Sequence, residues 1–159
     1  MKHARLLMMA GLVLAAPLQA GAADLCGTLA AITDASLQDF QAIKGDAVDG
    51  GYEVKVGLPG ARTCTVDSGQ HFYTCDYDGL SLRKSGSDDV AETMAKFQAA
   101  FTSAVAGCRP DLVRKDSQDL LGVTSTVFVD DKGQRWIDIT TRYAYVTVEI
   151  VNGNRFPAS

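Results

Sequence analysis

Two stretches of the chain repeat apolar residues at the three- and four-residue spacing of an amphipathic helix. The first, helix A, starts near Leu25 and stops at Gly45. The second, helix B, follows the polar segment 87–89 and stops at Gly107, as helix start and stop signals require. The predicted buried positions are Leu29, Ile32, Ser36, Phe40 and Ile43 in helix A, and Val90, Met94, Phe97, Phe101, Val105 and Cys108 in helix B.

Six other segments have the alternation and the β-branched or aromatic composition of strands. Three lie between the helices and three follow helix B. They are residues 52–56, 62–66, 72–77, 123–129, 135–141 and 143–151. Residues 109–122 predict a connection with a short helical turn at 117–121. The order α-β-β-β-α-β-β-β predicts an α+β fold, with an antiparallel sheet and two helices packed on one face.

Composition and charge limit the classes of protein to which the chain can belong. Its 159 residues are 47% hydrophobic and 21% charged, which is typical of one globular domain. Nineteen acidic residues against fifteen basic ones give a net charge of −4 at pH 7. A basic nucleic-acid groove is therefore not expected, and the electrostatic field of the whole protein favours cationic partners.

Residues 1–22 have the three parts of a secretory signal peptide. A basic start precedes the apolar segment 6–16, and Ala20-Gly21-Ala22 forms an A-x-A cleavage site. The alternative is a membrane anchor, but this apolar segment has eleven residues and a spanning helix needs about 20. We predict cleavage and a single soluble domain, residues 23–159, in the periplasm. Its thirteen basic and nineteen acidic residues give a net charge of −6.

The four cysteines all lie in that domain and predict two disulfides, because an even number of cysteines in an oxidising compartment favours pairing. Cys64 falls opposite Cys75 if the strands 62–66 and 72–77 form a hairpin. Cys26 is predicted in the first turn of helix A and Cys108 at the end of helix B, so their bond would join the two helices at one end. A zinc site is the alternative, but the chain has no C-x-x-C pair and His71 is the only histidine after the signal segment.

Alternation in the three C-terminal strands separates an inner apolar set from an outer aromatic set. The inner set is Val127, Val129, Ile137, Ile139, Val146, Val148 and Ile150. The outer set, which we interpret as a protein interface, is Phe128, Trp136, Asp138, Tyr143 and Tyr145. Tyrosine and tryptophan supply much contact area at low entropic cost. The alternative is that a helix or the connection 109–122 covers these aromatics as a second core.

The sequence contains no recognisable set of catalytic groups, so we predict no enzymatic activity. His71 lies in a predicted hairpin turn, and no G-x-S-x-G motif accompanies it. Carboxylate pairs are available among Asp76, Asp78, Asp88, Asp89 and Glu92, but Asp88 and Asp89 are better explained as helix-start residues. No phosphate-binding loop or dinucleotide fingerprint is present, so no cofactor is predicted.

A calcium loop is the remaining metal-binding pattern. Residues 74–79 match D-x-[DN]-x-[DN]-G only in part, because Thr74 holds the first ligand position and Ser85 the twelfth. We therefore predict no metal site, while weak metal binding near Asp76 and Asp78 stays open. The segment 130–133 is explained as a hairpin turn.

In size, export signal, expected disulfides and acidity, the chain resembles small periplasmic immunity and inhibitor proteins. The resemblance implies a protein partner, either a secreted toxin or a lysozyme-like enzyme acting on the cell wall. It also implies inhibition by occlusion, in which the 123–151 sheet face, or the loops 57–61 and 130–134, cover the active-site cleft. Complementary charge would speed such an encounter.

Two other classes of function remain open at this point. The element order is loosely similar to that of type III secretion chaperones, which supports a fold analogy only, and an envelope accessory or secretion-chaperone-like protein is the main alternative. A small-ligand binder or weak hydrolase is the third class. An inhibitor should have one nanomolar partner, whereas an accessory protein should have several weaker ones.

Overall fold

The chain folds into two long helices, one short helix and eight strands. The computed structural model describes residues 19–82, 89–120 and 122–155. In chain order the elements are α1 (Gln19–Ser36), β1 (Lys44–Val48), β2 (Gly51–Val54), β3 (Thr63–Asp67), β4 (Phe72–Asp78), α2 (Gly79–Leu82), α3 (Val90–Cys108), β5 (Val113–Gln118), β6 (Thr124–Val129), β7 (Arg135–Arg142) and β8 (Tyr145–Val151). Residues 1–18 of the predicted signal peptide lie outside the described part, as do Ser85 and Asp88.

One antiparallel sheet contains all eight strands, in the order β1-β2-β3-β4-β8-β7-β6-β5. Each half of the chain contributes a four-stranded meander, and the pairing of β4 with β8 joins the two meanders. Both long helices contact β8, and α1 also contacts β4 while α3 also contacts β7. The predicted α+β fold, with helices on one face of an antiparallel sheet, is confirmed.

Alternation indicated three strands in each half of the chain, and the sheet has four from each half. The additional strands are the edge strands β1 and β5. Every residue of β5 is exposed, so backbone hydrogen bonds hold it and its side chains carry no apolar alternation. The helical turn expected at 117–121 is wrong, because Ser117 and Gln118 pair with β6.

Helix α1 ends earlier than the periodicity suggested. It stops at Ser36, and Asp39 and Phe40 follow with positive φ angles of 54° and 58°. The Phe40 amide donates to the Ala35 carbonyl at 2.8 Å, which reverses the chain. Phe40 and Ile43 are buried as expected, but in the turns after the helix. A three- to four-residue spacing cannot distinguish one more helical turn from a tight turn that returns to the same core.

The core lies between the helices and the inner face of the central strands. Its largest fully buried side chains are Tyr73, Tyr77, Phe40, Phe128, Leu29, Ile32, Met94, Ile137, Ile139, Ile150, Val66 and Val105. The Tyr77 ring lies 4.6 Å from Phe97 and 5.6 Å from Phe101, between centroids. These aromatic contacts fix α3 over β4.

Both predicted disulfides are present. Cys64 and Cys75 face each other across the β3–β4 hairpin, with a Cα–Cα distance of 4.1 Å. Cys26 of α1 bonds to Cys108, the last residue of α3, with a Cα–Cα distance of 5.0 Å. Because α1 begins at Gln19, Cys26 lies inside that helix and not in its first turn. One bond therefore closes a local hairpin, and the other joins two helices distant in sequence.

The two disulfides should contribute unequally to stability. Their partners are 82 and 11 residues apart, and loop-closure entropy predicts that the longer loop contributes about 2 kcal/mol more. Each bond can be isolated in the variants C64A/C75A and C26A/C108A. Denaturant unfolding of each variant, oxidised and reduced, gives the contribution of its remaining bond. An equal or larger contribution from Cys64–Cys75 would contradict the prediction.

Candidate functional site

The outer aromatic set predicted from alternation does not form one surface. Phe128 is fully buried in the core and pairs with Ile137 of β7, so its placement on the outer face is wrong. Val127 instead pairs with Asp138 on the outer side. The strand β6 is apolar at three consecutive positions, 127–129, and the register shifts between Phe128 and Val129. Alternation cannot assign faces in such a run.

Trp136 packs against the core and not on an open face. It is the extra residue of the irregularity between the pairs Phe128–Ile137 and Val129–Arg135. Its indole N–H donates to Asp130 Oδ2 at 3.0 Å, and the Arg109 guanidinium lies 6.0 Å from its ring centroid. A Cβ at Gly153 would lie 2.4 Å from the indole. The prediction that Trp136 lies on the outer face is therefore wrong.

Arg109 connects this tryptophan to both long helices. It follows the last residue of α3, and one of its nitrogens donates to Thr33 Oγ1 of α1 at 3.2 Å. It also pairs with Asp111 at 2.7 Å, which lowers the pKa of the Asp111 carboxyl. Asp111 is largely exposed, so water screens this pair. Arg109 and Trp136 thus form a structural junction at one end of the sheet.

The two remaining tyrosines of the predicted set lie in different places. Tyr145 is half exposed and has Asp78 and Arg142 as cross-strand neighbours. Tyr143 occupies the β7–β8 turn, is 82% exposed, and lines a groove of about 710 Å³ between α3 and strands β5–β7. The sequence analysis missed this groove, because its lining comes from segments far apart in the chain.

Asp138 and Tyr145 belong to a surface that we call the outer sheet face. It comprises the side chains of β4, β8 and β7 that alternate with the buried positions. Its members are Phe72, Thr74, Asp76, Asp78, Arg135, Asp138, Thr140, Arg142, Tyr145, Thr147 and Glu149. Four carboxylates outnumber two guanidinium groups. The face is therefore acidic and rich in hydroxyl groups.

Hydrogen bonds order the carboxylates of the outer sheet face. Asp138 accepts from Ser125 Oγ at 2.8 Å and from Thr140 Oγ1 at 3.0 Å. Asp76 accepts from Thr147 Oγ1 at 2.8 Å, across β4 and β8. Arg135 lies 3.5 Å from both Asp138 and Glu149. These bonds, within β7 and between neighbouring strands, hold the acidic groups in fixed positions before any partner arrives.

Among the carboxylates of the outer sheet face, Glu149 is the one whose ionised form is disfavoured by burial. Burial raises its pKa, Arg135 lowers it in part, and the charges of Asp138 and Asp67 raise it further. A cation placed beside Glu149 would favour its ionised form. Alternation places Glu149 on the outer face, but a single glutamate in an alternating strand gives no sign of its burial.

The other candidate ligands and catalytic groups have structural roles. Asp89 caps α3 by accepting from the Ala91 amide, and Glu92 pairs with Lys96. Asp78 lies 3.5 Å from Arg62 and accepts from the Leu80 amide. In residues 19–82, 89–120 and 122–155, no group of three or more His, Cys, Asp and Glu side chains is placed to hold a metal ion.

His71 lies in the β3–β4 turn, where Asp67 Oδ1 accepts from the His71 and Phe72 amides. Its Nδ1 is 3.0 Å from a nitrogen of Arg155. These contacts explain the residue as part of a capped turn.

No protein-family model, curated protein or solved structure matches the chain. Over the described residues, no helix is both long and apolar enough to cross a membrane.

Trp136 and Tyr145 should differ in what they contribute. Because Trp136 is anchored by Asp130 and packs on the core, Trp136→Ala should lower the free energy of unfolding by about 3 kcal/mol. Tyr145→Ala should change it by less than about 0.5 kcal/mol. Denaturant unfolding of the two variants measures both values. A large loss of stability in Tyr145→Ala would show that the outer sheet face is covered.

Glu149 should make stability depend on pH. Its raised pKa means that the folded state binds a proton more readily than the unfolded state. Stability should therefore fall as pH rises from the ordinary glutamate pKa, about 4.3, through the raised value. Glu149→Gln should be more stable than the wild type at neutral pH and have a flatter profile in this range. Glu92→Gln, an exposed change on α3, is the control. A neutral-pH loss of stability in Glu149→Gln would refute this account.

Proposed function

We propose that this protein is an exported protein-binding domain whose outer sheet face docks onto a cationic protein. The proposed role is that of an immunity or inhibitor protein, which neutralises a secreted toxin or a cell-wall-degrading enzyme in the periplasm by occluding its active site. The observation that carries the proposal is the outer sheet face, an acidic surface on the side of the sheet opposite the helices.

The outer sheet face is held in place by the surrounding structure, which supports binding without rearrangement. It spans three central strands, and the Cys64–Cys75 bond fixes the hairpin that contains β4. Hydrogen bonds position Asp76 and Asp138. A surface that is ordered before binding loses little conformational entropy on association. The half-exposed Tyr145 offers an aromatic anchor, a residue type enriched among energetically dominant interface positions.

Charge defines the class of partner. The chain carries nineteen acidic and fifteen basic residues, and the outer sheet face has the same sign of imbalance. A cationic partner would be attracted over a distance of about 10 Å at moderate salt. An enzyme or toxin that binds anionic cell-wall polymers would carry such a charge. The two disulfides fit an exported protein.

The competing proposal is an envelope accessory or secretion-chaperone-like protein. It predicts several weak partners with no loss of their activity, whereas the inhibitor proposal predicts one tight partner that loses activity. The two proposals therefore differ in a measurement of inhibition as well as in binding.

Neutralising outer-face carboxylates should slow association with the partner. Oxidised full-length protein is used to capture secreted and periplasmic proteins, and each stoichiometric partner is assayed for toxicity or peptidoglycan hydrolysis with and without the protein. The variant D76N/D138N should lower the association rate about tenfold at low salt and reduce its salt dependence. Both asparagines can still accept the hydroxyl hydrogen bonds.

The matched control is D34N/E92Q, which removes the same charge from exposed positions on α1 and α3. It should leave the association rate near that of the wild type. An equal loss in both variants would show that net charge acts rather than this face. A captured partner whose activity is unchanged would refute the inhibitor role.

A further inference from the structure

The groove beside α3 has the construction of a small-ligand site and lies apart from the outer sheet face. Its volume of about 710 Å³ falls in the range of roughly 300–1,000 Å³ that such sites have. One wall is α3, where Ala91, Ala95 and Ala99 present only methyl groups. The opposite wall is the helix-facing side of β5, β6 and β7. We infer that this groove binds a neutral saccharide.

The Thr102 hydroxyl is a buried polar group of this groove that has no hydrogen-bond partner among the residues that the structure describes. Thr102 lines the groove and is fully buried. Its hydroxyl is the one buried side-chain polar atom without a hydrogen-bond partner in the described parts of the chain. Such a group costs free energy in the unliganded protein. A ligand hydroxyl that reached Thr102 Oγ1 would recover that cost.

Gln98, one helical turn before Thr102, organises the middle of the groove. Its Oε1 accepts from Thr124 Oγ1 at 2.9 Å and from Thr141 Oγ1 at 2.7 Å. The amide oxygen is thereby occupied by two strands, which leaves the two amide N–H groups as donors for a ligand. The groove thus offers the two amide donors of Gln98, together with threonine hydroxyl oxygens that can accept because their own hydrogens are used in these bonds.

Three charged side chains line the groove, and two of them, Arg114 and Asp116, are paired with each other, while Arg142 is exposed at the end of β7. Arg114 donates to Asp116 Oδ1 at 2.8 Å, and Thr126 Oγ1 donates to the same oxygen at 2.7 Å. Both bonds lower the pKa of the Asp116 carboxyl, so it stays ionised beside its guanidinium. A charged ligand would compete with this pair for one of its two members. A neutral ligand can bond to it as it stands.

Tyr143 lines the groove and has a backbone conformation that is unfavourable for residues other than glycine. Arg142 pairs with Tyr145, so the loop between β7 and β8 has two residues. Tyr143 takes the first of these positions with φ 51°, where glycine is normally preferred. The Gly79 amide donates to the Ala144 carbonyl at 2.8 Å and holds the loop. This turn brings the exposed Tyr143 side chain among the residues that line the groove.

These features together select the chemical class. A sugar ring carries many hydroxyl groups that both donate and accept, which complements the amide donors of Gln98, the acceptor oxygens of the strand threonines and the unpartnered hydroxyl of Thr102. Its C–H face is apolar and can lie against the methyl groups of α3 or against the Tyr143 ring. A saccharide needs no net charge to be recognised, which matches the paired Arg114 and Asp116.

The test is an NMR titration of the oxidised full-length protein. The probes are N-acetylglucosamine, its β-1,4-linked disaccharide and maltose, with the zwitterion alanyl-alanine as a charged comparison. Saturable shifts are expected for at least one saccharide, centred on the amides of Gln98, Thr102, Thr141 and Tyr143. Shifts with alanyl-alanine alone, shifts centred on the outer sheet face, or no saturable shift with any saccharide would overturn the inference.

Two variants separate ligand binding from folding. Thr102→Val keeps the shape but removes the unpartnered hydroxyl, so it should raise the Tm of the free protein by a few degrees while weakening saccharide binding about tenfold. Tyr143→Asn suits the positive φ and should also weaken binding about tenfold. Tyr145→Asn, two residues away on the other face, is the control and should bind as the wild type. Unchanged affinity in both Thr102→Val and Tyr143→Asn would overturn the inference.

Discussion

The pairing of β4 with β8 holds the two halves of the molecule together. Seven consecutive residues of β4 face β8, and the inward side chains of both strands are fully buried. The two helices lie over these same strands. Without this pairing, each half would be a four-stranded meander with an unpaired edge at β4 or β8 and a single long helix to cover its apolar face. The core and the outer sheet face both depend on this contact between distant parts of the chain.

The predictable part of the fold was the part that buries apolar side chains. Alternation located β2 to β4 and β6 to β8, and helical spacing located both long helices, because in each case burial leaves a periodic trace. The cysteine pairing followed from the same elements. The edge strands β1 and β5 have no such trace, since backbone bonds hold them. The spacing of apolar residues did not reveal the early end of α1, because Phe40 lies in a turn after the helix and is buried in the same core.

The candidate site was less predictable than the fold. Asp138 and Tyr145 lie on the outer sheet face as expected. Trp136 packs against the core because of the bulge in β7, and alternation assigned Phe128 to the wrong face because residues 127–129 are all apolar. The groove depends on Gln98 bonding to Thr124 and Thr141, which are 26 and 43 residues away. Long-range polar contacts of this kind have no periodicity, so a single sequence does not reveal them.

The disulfide pairing has a consequence for biogenesis. The Cys64–Cys75 bond is nested inside the loop that Cys26–Cys108 closes. A chain that enters an oxidising compartment from its N-terminus therefore exposes Cys26 together with Cys64 and Cys75 before its true partner arrives. An oxidase that joins cysteines in order of emergence would produce the wrong isomer Cys26–Cys64. Reaching the native state from it requires thiol–disulfide exchange, so the yield of folded protein depends on an isomerase or a mild redox buffer.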